Sequence, residues 1–376
     1  MGDVDRRQVE TARRFGGRTL CALRLDAVDG DAAAPLKDQA LALGVDVLDG
    51  APGSEAASPR ILVGDHETLR RLGVALETGG KKALGSAIRT ALAAYACETF
   101  VLAFADGGRM DLSEETRVMG ILNVTPDSFS DGASILSPGM AVDTAARMAE
   151  DGADMVDVGG ESTRPGAAVV SADDEARRVV PAIRAIKREL GLRVSVDTMK
   201  ADVARLAIEA GADVVNDVSA FSDPGMIALL RQSRSPVIVM HMRGTPRTMQ
   251  HDTAYVDLLS SVVGFLRKSV ERAVAAGLAD DKILVDPGLG FGKSADGNLR
   301  ILRELATLRS VGRPIVIGAS RKSFIGSVLD VGLDQRLEGS LAVAAYAAWR
   351  GAHVIRAHDV AATKRATRMI DAIRRT

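Results

Sequence analysis

The chain has 376 residues, more than a typical single domain, so a large domain of about 250 residues with a smaller companion is expected. Its 48 lysines and arginines nearly balance 49 aspartates and glutamates, and only 3% of the residues are aromatic, which argues against a nucleic acid or an anionic membrane as partner. The two cysteines, Cys21 and Cys97, are too few for a zinc cluster or a disulfide framework, and they favour a reducing cytoplasm.

Residues 1–97 predict a small α/β domain. Strands are expected at 18–28 and 60–63, with helices at 34–43, 66–77 and 81–97. The first residues contain no apolar core of a signal peptide, in keeping with a cytoplasmic protein. His66 follows a glycine and an aspartate, which suits a helix start better than catalysis. No cluster of reactive side chains stands out, so the role of this domain stays open.

Residues 98–376 predict a second domain with a regular repeat. A hairpin at 99–104 and 109–112 leads into short apolar strands that alternate with amphipathic helices, which is typical of parallel βαβ units. Strands are predicted at 118–122, 155–158, 193–196, 214–215, 237–240, 283–285, 315–317 and 354–355. Helices are predicted at 141–150, 174–190, 201–210, 224–231, 254–276, 298–308, 335–350 and 360–374. Eight strands suffice for a TIM (β/α)8 barrel, with an open doubly wound sheet as the alternative.

Polar side chains follow each predicted strand. They are Asn123, Asp157, Asp197, Asn216 with Asp217, His241, Asp286, Ser320 to Lys322, and Arg356 with His358. Asn and Asp also cap helices, so any single one is weak evidence. In a barrel, however, all eight strand ends share one rim, where active sites lie. The pattern therefore predicts an active site at that rim.

The stretch DPGLGFGK at 286–293 closes an apolar strand with a carboxylate and three glycines. A nucleotide P-loop needs glycine where Pro287 stands, and the spacing of a dinucleotide fingerprint does not fit either. Glycine allows a flat ligand to approach the backbone closely. We therefore interpret the stretch as a ligand loop at the mouth of the barrel.

The rim residues predict two kinds of binding. Asp197, Asn216 and Asp286 offer acceptors and one amide donor, which match a flat heterocycle with adjacent N–H groups, and Lys322 could meet its carbonyl oxygen. A second set predicts an anion site with Mg²⁺, because arginine forks onto phosphate and asparagine offers an oxygen ligand. Its members are Asn123, Arg321, Arg356 and His358.

Two other features complete the predicted site. His241 lies on an apolar strand, where a core histidine and a ligand contact are equally compatible with the pattern, and His251 and His353 are assigned to structure. Glycine-rich loops at 123–132 and 159–166 could close over a substrate. They and the Ser-Arg-Lys-Ser element supply apolar walls and hydroxyls for a small aromatic reactant, namely Phe129, Pro165, Thr163 and Ser323.

These motifs together resemble the dihydropteroate synthase family. The matching stretches are MGILNVTPDSFSDG at 119–132, DVGGESTRPG at 157–166, SVDT at 195–198, NDVS at 216–219, MHM at 240–242, DPGLGFGK at 286–293, SRKSFIG at 320–326 and RAHD at 356–359. The resemblance covers roughly residues 100–376 and runs in the order of the family. Long motifs of this kind are highly specific.

The resemblance implies a TIM barrel that joins 6-hydroxymethyl-7,8-dihydropterin diphosphate to 4-aminobenzoate and releases diphosphate, with Mg²⁺ as cofactor. It implies that sulfonamides compete with aminobenzoate, and we expect a homodimer. The implied pterin ligands are Asp197, Asn216, Met240, Asp286, Phe291 and Lys322. The implied diphosphate ligands are Asn123, Arg164, Arg321, Arg356 and His358, with Asn123 also on the metal. The implied aminobenzoate pocket is Phe129, Thr163, Pro165, Phe291 and Ser323. The residues implied in catalysis are Asn123, Asp197, Asp286, Lys322, Arg356 and His358.

Two departures limit the resemblance. Family members often have histidine where this chain has Gly297, and the short bacterial form lacks the roughly 97 extra N-terminal residues. Two rival functions remain at this stage. A methyltransferase barrel passing a methyl group from a reduced folate to a corrinoid protein would share the Asp and Asn lining. A catalytically silent pterin-binding scaffold would share the fold.

Overall fold

The structure, a computed structural model, describes residues 20–25, 28–49, 60–125, 137–163, 166–167 and 169–376. The chain forms two compact units. One comprises Met1–Cys97 with Ser310–Gly312, and the other comprises Glu98–Arg309 with Arg313–Thr376. No sequence pattern indicates that the three residues Ser310–Gly312 group with the smaller unit.

The smaller unit has a three-stranded antiparallel sheet in the order β1-β3-β2, formed by β1 (Leu20–Leu25), β2 (Asp46–Asp49) and β3 (Arg60–Asp65). Its described helices are α1 (Gly30–Leu43), α2 (His66–Thr78) and α3 (Lys82–Ala96). The buried faces of the helices, together with Leu62 of β3, supply a core of Leu36, Leu62, Leu69, Leu72, Leu76 and Ile88. The sequence analysis missed β2, because four residues with an acid at each end lack an apolar run.

The cap of α2 shows the role of its first residues. The Asp65 side chain accepts a hydrogen bond from Thr68 N at 2.8 Å, which satisfies one unpaired N–H of the first turn. His66 Nε2 lies 3.3 Å from the Leu92 carbonyl oxygen, so this side chain links α2 to α3 within the same unit. The non-catalytic interpretation of His66 agrees with these contacts.

The larger unit begins with the predicted hairpin, β4 (Val101–Ala103) and β5 (Arg109–Asp111). Leu102, Phe104 and Leu112 pack against residues near the beginnings of the barrel strands. These residues are Met119, Met155, Val214, Ile238, Leu284, Val316 and Val354. The hairpin therefore closes the N-terminal end of the barrel, which leaves the opposite end for a site.

Eight parallel strands follow the hairpin. They are β6 (Arg117–Asn123), β7 (Met155–Gly159), β8 (Val194–Asp197), β9 (Val214–Asp217), β10 (Val237–Met240), β11 (Ile283–Asp286), β12 (Val316–Gly318) and β13 (Val354–Ala357). They pair in the order β11-β10-β9-β8-β7-β6-β13-β12. A parallel bridge between Val285 and Ile315 joins β11 to the residue before β12, so the sheet closes on itself. The barrel prediction is confirmed, and the open-sheet alternative is wrong.

Helices follow the strands around the barrel. They are α4 (Pro138–Glu150), α5 (Ala172–Leu190), α6 (Ala201–Glu209), α7 (Met226–Ser233), α8 (Leu258–Ala275), α9 (Ala295–Arg303), α10 (Ser323–Leu329), α11 (Leu337–Trp349) and α12 (Val360–Arg375). The predicted helix at 298–308 is divided, because α9 ends at Arg303 and a 3-10 helix covers Leu305–Val311. The short α10 was not predicted, since seven residues give too little periodicity.

The helix α5 shows how the sequence determines the ends and the buried face of a helix around the barrel. Ser171 caps it by accepting a hydrogen bond from Asp174 N at 3.1 Å, and Gly191 ends it with a φ of 61°. Val179, Ile183 and Ile186 are fully buried at helical spacing. Burying each contributes about 1.5–3 kcal/mol. In the described part of the chain, no helix is long and apolar enough to cross a membrane.

Candidate active site

The carboxyl ends of the barrel strands bring the predicted polar residues side by side. Asp197 is the last residue of β8 and lies in register with Asn216 of β9. Asp286 is the last residue of β11 and lies opposite Met240 of β10. Because parallel strands of similar length end at one edge, these side chains share the rim opposite the hairpin.

Arg356 of β13 is held by two carboxylates inside the barrel. Its Nε donates to Asp157 Oδ2 at 2.6 Å, and its Nη2 donates to Asp197 Oδ2 at 2.9 Å. Asn216 Nδ2 donates to the same Asp157 oxygen at 3.0 Å. Asp157 is fully buried. The sequence analysis noted Asp157 as a strand-end residue without giving it a role, although a carboxylate within an apolar strand was a signal for one.

Burial shifts the proton affinity of the rim carboxylates. It raises the pKa of Asp197 to about 7, with Arg356 opposing the shift and neighbouring carboxylates increasing it. Burial also raises the pKa of Asp286, which Lys322 opposes. The pKa of Lys322 falls to about 8, chiefly by burial, while Asp286 partly counters the fall. These values lie close to neutral pH, as is common at functional sites.

The predicted pterin site should show a pH dependence that follows from these shifts. If Asp197 accepts ring N–H groups, as the sequence predicts, its carboxylate must be ionised, so affinity falls as the pH drops below about 7. The ammonium of Lys322 loses its proton above about 8, so affinity falls on that side too. Calorimetry across pH 5 to 10 is expected to give a bell-shaped profile, with roughly tenfold loss per unit on each flank. Asp197→Asn should remove the flank near 7, and an unchanged acid flank in this variant would contradict the assignment.

The loop after β11 has the backbone shape that its glycines predict. Gly288, Gly290 and Gly292 have φ values of +67°, +83° and +66°. Asp286 Oδ1 accepts a hydrogen bond from Gly288 N at 2.7 Å. A Cβ at Gly288 would lie 2.0 Å from the His241 carbonyl oxygen, so no other residue fits there without moving backbone.

Lys293, at the end of this loop, is buried without a carboxylate partner in the described contacts. Its Nζ lies 2.9 Å from His241 Nδ1 and donates to the carbonyl oxygens of Gly288 and Phe291, each at 2.9 Å. Burial lowers its pKa to about 7. It therefore ties the loop to the end of β10. The sequence analysis weighed this lysine only as part of a nucleotide loop and missed its structural role.

His241 is a core histidine rather than a rim group. Its ring meets the Phe265 ring edge-on at a centroid distance of 4.9 Å. Burial and then Lys293 lower its pKa to about 3, so the ring is neutral at ordinary pH. The two interpretations left open by the sequence are decided by these contacts in favour of the core. His353 likewise serves the structure, since its Nδ1 accepts from Ile315 N at 3.0 Å.

Lys322 approaches the same loop from the end of the neighbouring strand β12. Its Nζ lies 4.5 Å from the centre of the Phe291 ring and donates to the Leu289 carbonyl oxygen. Asp286 is the first of the charged groups that raise its pKa. Lys322, Phe291 and Asp286 thus form one wall of the site. Ser323 follows as the exposed first residue of α10.

The residues predicted for diphosphate lie around the first and last barrel strands. The Asn123 side-chain oxygen and Asp197 both lie beside Gly159, where an added Cβ would be 3.5 Å from Asn123 Oδ1 and 3.6 Å from Asp197 Cβ. His358 is exposed, and its Nδ1 lies 3.0 Å from Ser320 Oγ. Arg321 forks onto Asp359 at 2.9 and 2.6 Å, so its described contacts do not include the carboxylates that hold Arg356.

Comparison with known proteins agrees with this geometry. Residues 119–358 match the family described as "Pterin binding enzyme". The dihydropteroate synthase of Escherichia coli K12 is 46% identical over 269 residues, which cover 72% of this chain and 95% of that protein. This chain belongs to the dihydropteroate synthase family. It is longer than that relative, and the larger part of the relative's length is matched.

Solved structures of the dihydropteroate synthase family extend the match. A Yersinia pestis dihydropteroate synthase, in a complex with a sulfonamide drug, has a TM-score of 0.70 and 43% identity, covering 73% of this chain and 99% of that one. A Xanthomonas albilineans dihydropteroate synthase with 4-aminobenzoic acid has a TM-score of 0.69 and 42% identity, covering 74% and 99%. These relatives favour the synthase over the methyltransferase and scaffold alternatives.

The loop after β7, which carries the Ser-Thr-Arg-Pro stretch typical of the dihydropteroate synthase family, is anchored at its base. Lys200 donates to both Glu161 and the buried Glu175, and Glu161 Oε1 accepts from Val170 N at 3.0 Å. Thr163 is half-buried within this loop. Three predicted residues, Phe129, Arg164 and Pro165, lie outside the described residues, and their roles stay predictions.

Proposed function

We propose that this chain condenses 6-hydroxymethyl-7,8-dihydropterin diphosphate with 4-aminobenzoate, giving 7,8-dihydropteroate and diphosphate for folate synthesis. The observation that carries the proposal is the pairing of buried carboxylates and cations at the rim of a barrel that is 46% identical to a dihydropteroate synthase. The test is release of diphosphate that depends on both 4-aminobenzoate and Mg²⁺. Release that proceeds without aminobenzoate would mean hydrolysis, and no release would exclude the synthase.

The pterin site consists of the wall of acceptors and the lysine. Asp286 and Asp197 accept the ring N–H groups, because a carboxylate takes two such bonds in parallel. Asn216 adds an amide, and Lys322 donates to the ring carbonyl oxygen. Met240, in register with Asp286, and Phe291, beside Lys322, supply apolar surface. A flat ring fits against the backbone of the glycine loop.

The reaction is a substitution at the methylene of the pterin. The C–O bond to diphosphate breaks, the C–N bond to the amine forms, and the amine proton passes to solvent. Positive charge develops on the carbon as the anion leaves. In this proposal the carboxylate of Asp197 stabilises that charge, while Arg356 and His358 stabilise the departing anion. Holding the weak aniline nucleophile in line with the breaking C–O bond supplies the rest of the rate acceleration.

Diphosphate is held with Mg²⁺ in this proposal. Among the described residues there is no group of three or more acidic, histidine or cysteine side chains placed to hold a metal ion together, so an all-protein cage is absent from that part of the chain. Mg²⁺ commonly takes few protein oxygens and several from water and substrate phosphate, which fits the single amide oxygen of Asn123 beside Asp197. When bound, the ion neutralises charge on the leaving group. We also propose Arg321 and Arg164 as outer contacts to the anion.

The aminobenzoate pocket is proposed between the loop after β7 and the start of α10. Thr163 and Ser323 supply hydroxyls and Phe291 an apolar wall, with Phe129 and Pro165 as further walls. The Xanthomonas relative holds 4-aminobenzoic acid, and the Yersinia relative holds a sulfonamide drug. Because sulfonamides have the shape of aminobenzoate, we propose that they compete for this pocket.

Residues 98–376 are proposed as the complete catalytic domain. Every rim residue with a role in this account lies after Arg117, and the hairpin and eight strands already close the barrel. A shortened chain that begins near Thr99 is expected to retain most of the turnover per folded molecule. Turnover should be measured on protein shown to be folded by circular dichroism. A folded but inert product would assign the N-terminal unit to catalysis.

A homodimer is proposed from exposed apolar side chains on two neighbouring helices. Tyr346 and Trp349 of α11 are 41% and 52% exposed, and Met369 and Ile373 of α12 are 62% and 45% exposed. Each pair is spaced to lie on one face of its helix, and large apolar patches mark interaction surfaces. Sedimentation velocity is expected to show a dimer that Trp349→Glu dissociates. A wild-type monomer at micromolar concentration would contradict this assembly.

We also propose that the protein is located in the cytoplasm.

A further inference from the structure

Asp157 occupies a central place among the charged groups of the barrel, although the proposed chemistry gives it no contact with substrate. It is the third residue of β7 and is fully buried. One of its oxygens, Oδ2, accepts from Arg356 Nε at 2.6 Å and from Asn216 Nδ2 at 3.0 Å. A single buried atom therefore fixes two side chains from strands on either side of the barrel.

These two side chains serve different halves of one substrate in the proposed function. Asn216 faces the pterin ring, and Arg356 faces the diphosphate. An arginine side chain carries about 2 kcal/mol of rotamer entropy. A guanidinium that no partner holds in place would lose this entropy when the anion binds, which would weaken the binding. Bonds to Asp157 and Asp197 occupy two of its five N–H donors, which leaves three for an anion.

We propose that Asp157 is a positioning residue that orients Arg356 toward the diphosphate and Asn216 toward the pterin. It makes recognition of both halves of the substrate depend on one carboxylate. This inference rests on the proposed function for the identity of the substrate. The residue acts through its two hydrogen-bond donors and does not touch the reacting atoms.

The direction in which the affinity for diphosphate changes distinguishes a positioning role of Asp157 from a purely electrostatic one. A carboxylate repels diphosphate, so removal of its charge alone would strengthen binding of the anion. A loss of anion affinity on removing Asp157 therefore has to come through the side chains that it orients. The two donors also share one oxygen, which an asparagine could still offer to both.

The experiment compares Asp157→Ala with Asp157→Asn by steady-state kinetics. For alanine, kcat/KM for the pterin diphosphate is expected to fall by roughly 100-fold or more, since two oriented bonds to a charged group are lost. The KM for aminobenzoate should stay within about threefold, because neither donor belongs to that pocket. For asparagine, kcat/KM should recover to within about tenfold of the wild type, since the shared acceptor remains. Binding of inorganic diphosphate by calorimetry should weaken in the alanine variant.

Ser195→Ala is the matched control. Ser195 lies in register with Asp157 on β8, is fully buried, and its Oγ has no hydrogen-bond partner in the described part of the protein. Its removal is expected to leave kcat/KM within about threefold. Equal losses in the alanine and asparagine variants would overturn the proposal, because they would show that the acceptor oxygen shared by Arg356 and Asn216 does not preserve function. Wild-type kinetics in the alanine variant would also overturn it.

A double-mutant cycle gives a second, independent measurement. In an Arg356→Lys background, the further loss on Asp157→Ala should shrink from roughly 100-fold to about tenfold, because the guanidinium is gone and Asp157 then orients only Asn216. Full additivity would overturn the proposal. If Asp157→Ala does not fold, the cycle is run with Asp157→Asn, whose smaller loss should likewise shrink in the Arg356→Lys background. Since each comparison uses an active wild type, failure here is distinct from failure of the proposed function.

Discussion

Replacing Asp286 with alanine is expected to abolish useful pterin binding in a protein that still folds. The carboxylate is buried at the end of β11, and one oxygen already accepts from Gly288 N at 2.7 Å. Removing the carboxylate leaves two N–H donors of the pterin ring without acceptors. It also removes the hydrogen bond that holds the glycine loop. The expected loss is on the order of 3 kcal/mol, or about 150-fold in Kd by calorimetry with a pterin. Asp286→Asn should lose less, since one acceptor remains.

Asp106→Ala is a matched control for that result. Asp106 makes the same local bond, from Gly108 N to Oδ1 at 2.8 Å, but it lies in the hairpin at the other end of the barrel. Its replacement should leave pterin affinity unchanged within about threefold. Near-native affinity in a folded Asp286→Ala variant would remove Asp286 from the pterin site.

Replacing Arg356 with methionine is expected to destabilise the barrel by about 3–5 kcal/mol, because two buried carboxylates lose their shared cation. Asp157 and Asp197 would then face each other without compensation. Arg356 lowers the pKa of Asp197 toward its present value of about 7, so this pKa rises further in the variant. A carboxyl group whose folded pKa is raised stabilises the fold at low pH and loses that contribution as the pH rises. The deficit in urea unfolding should therefore be smaller at pH 5 than at pH 8.

Arg205→Met tests whether any lost ion pair would do the same. Arg205 and Glu209 pair at 2.9 Å on an exposed helix face, with side chains 48% and 58% exposed. Such a pair contributes about 0–1 kcal/mol with little pH dependence between pH 5 and 8. If Arg356→Met were no more costly than this control, the two carboxylates would not depend on Arg356.

The sequence predicts the barrel well because its strands are buried on both faces. A strand such as Val237–Met240 is a continuous apolar run, and a polar residue follows where the strand ends. Local pattern cannot show closure, which depends on the bridge between Val285 and Ile315. It also misses elements that are too short for periodicity, such as β2 and α10.

The sequence predicts where the site lies but not which of its side chains pair. The polar residues at the strand ends predict that Asp197, Asp286 and Arg356 lie at one rim. It cannot show that Arg356 pairs with Asp157, since 199 positions separate the two residues and their contact exists only after the barrel closes. Lys293 was missed for a similar reason, because its partners are backbone carbonyls and a histidine ring. Such interactions follow from the three-dimensional fold and leave no local pattern.

A crystal soaked with a non-hydrolysable pterin diphosphate analogue and Mg²⁺ tests the central claim most directly. The account predicts the pterin ring between Asp197 and Asp286, with its N–H groups on their carboxylates and its carbonyl oxygen toward Lys322. It predicts the diphosphate against Arg356 and His358, with the ion near Asn123. A pterin bound away from Asp286, or a diphosphate that does not contact Arg356, would contradict the account.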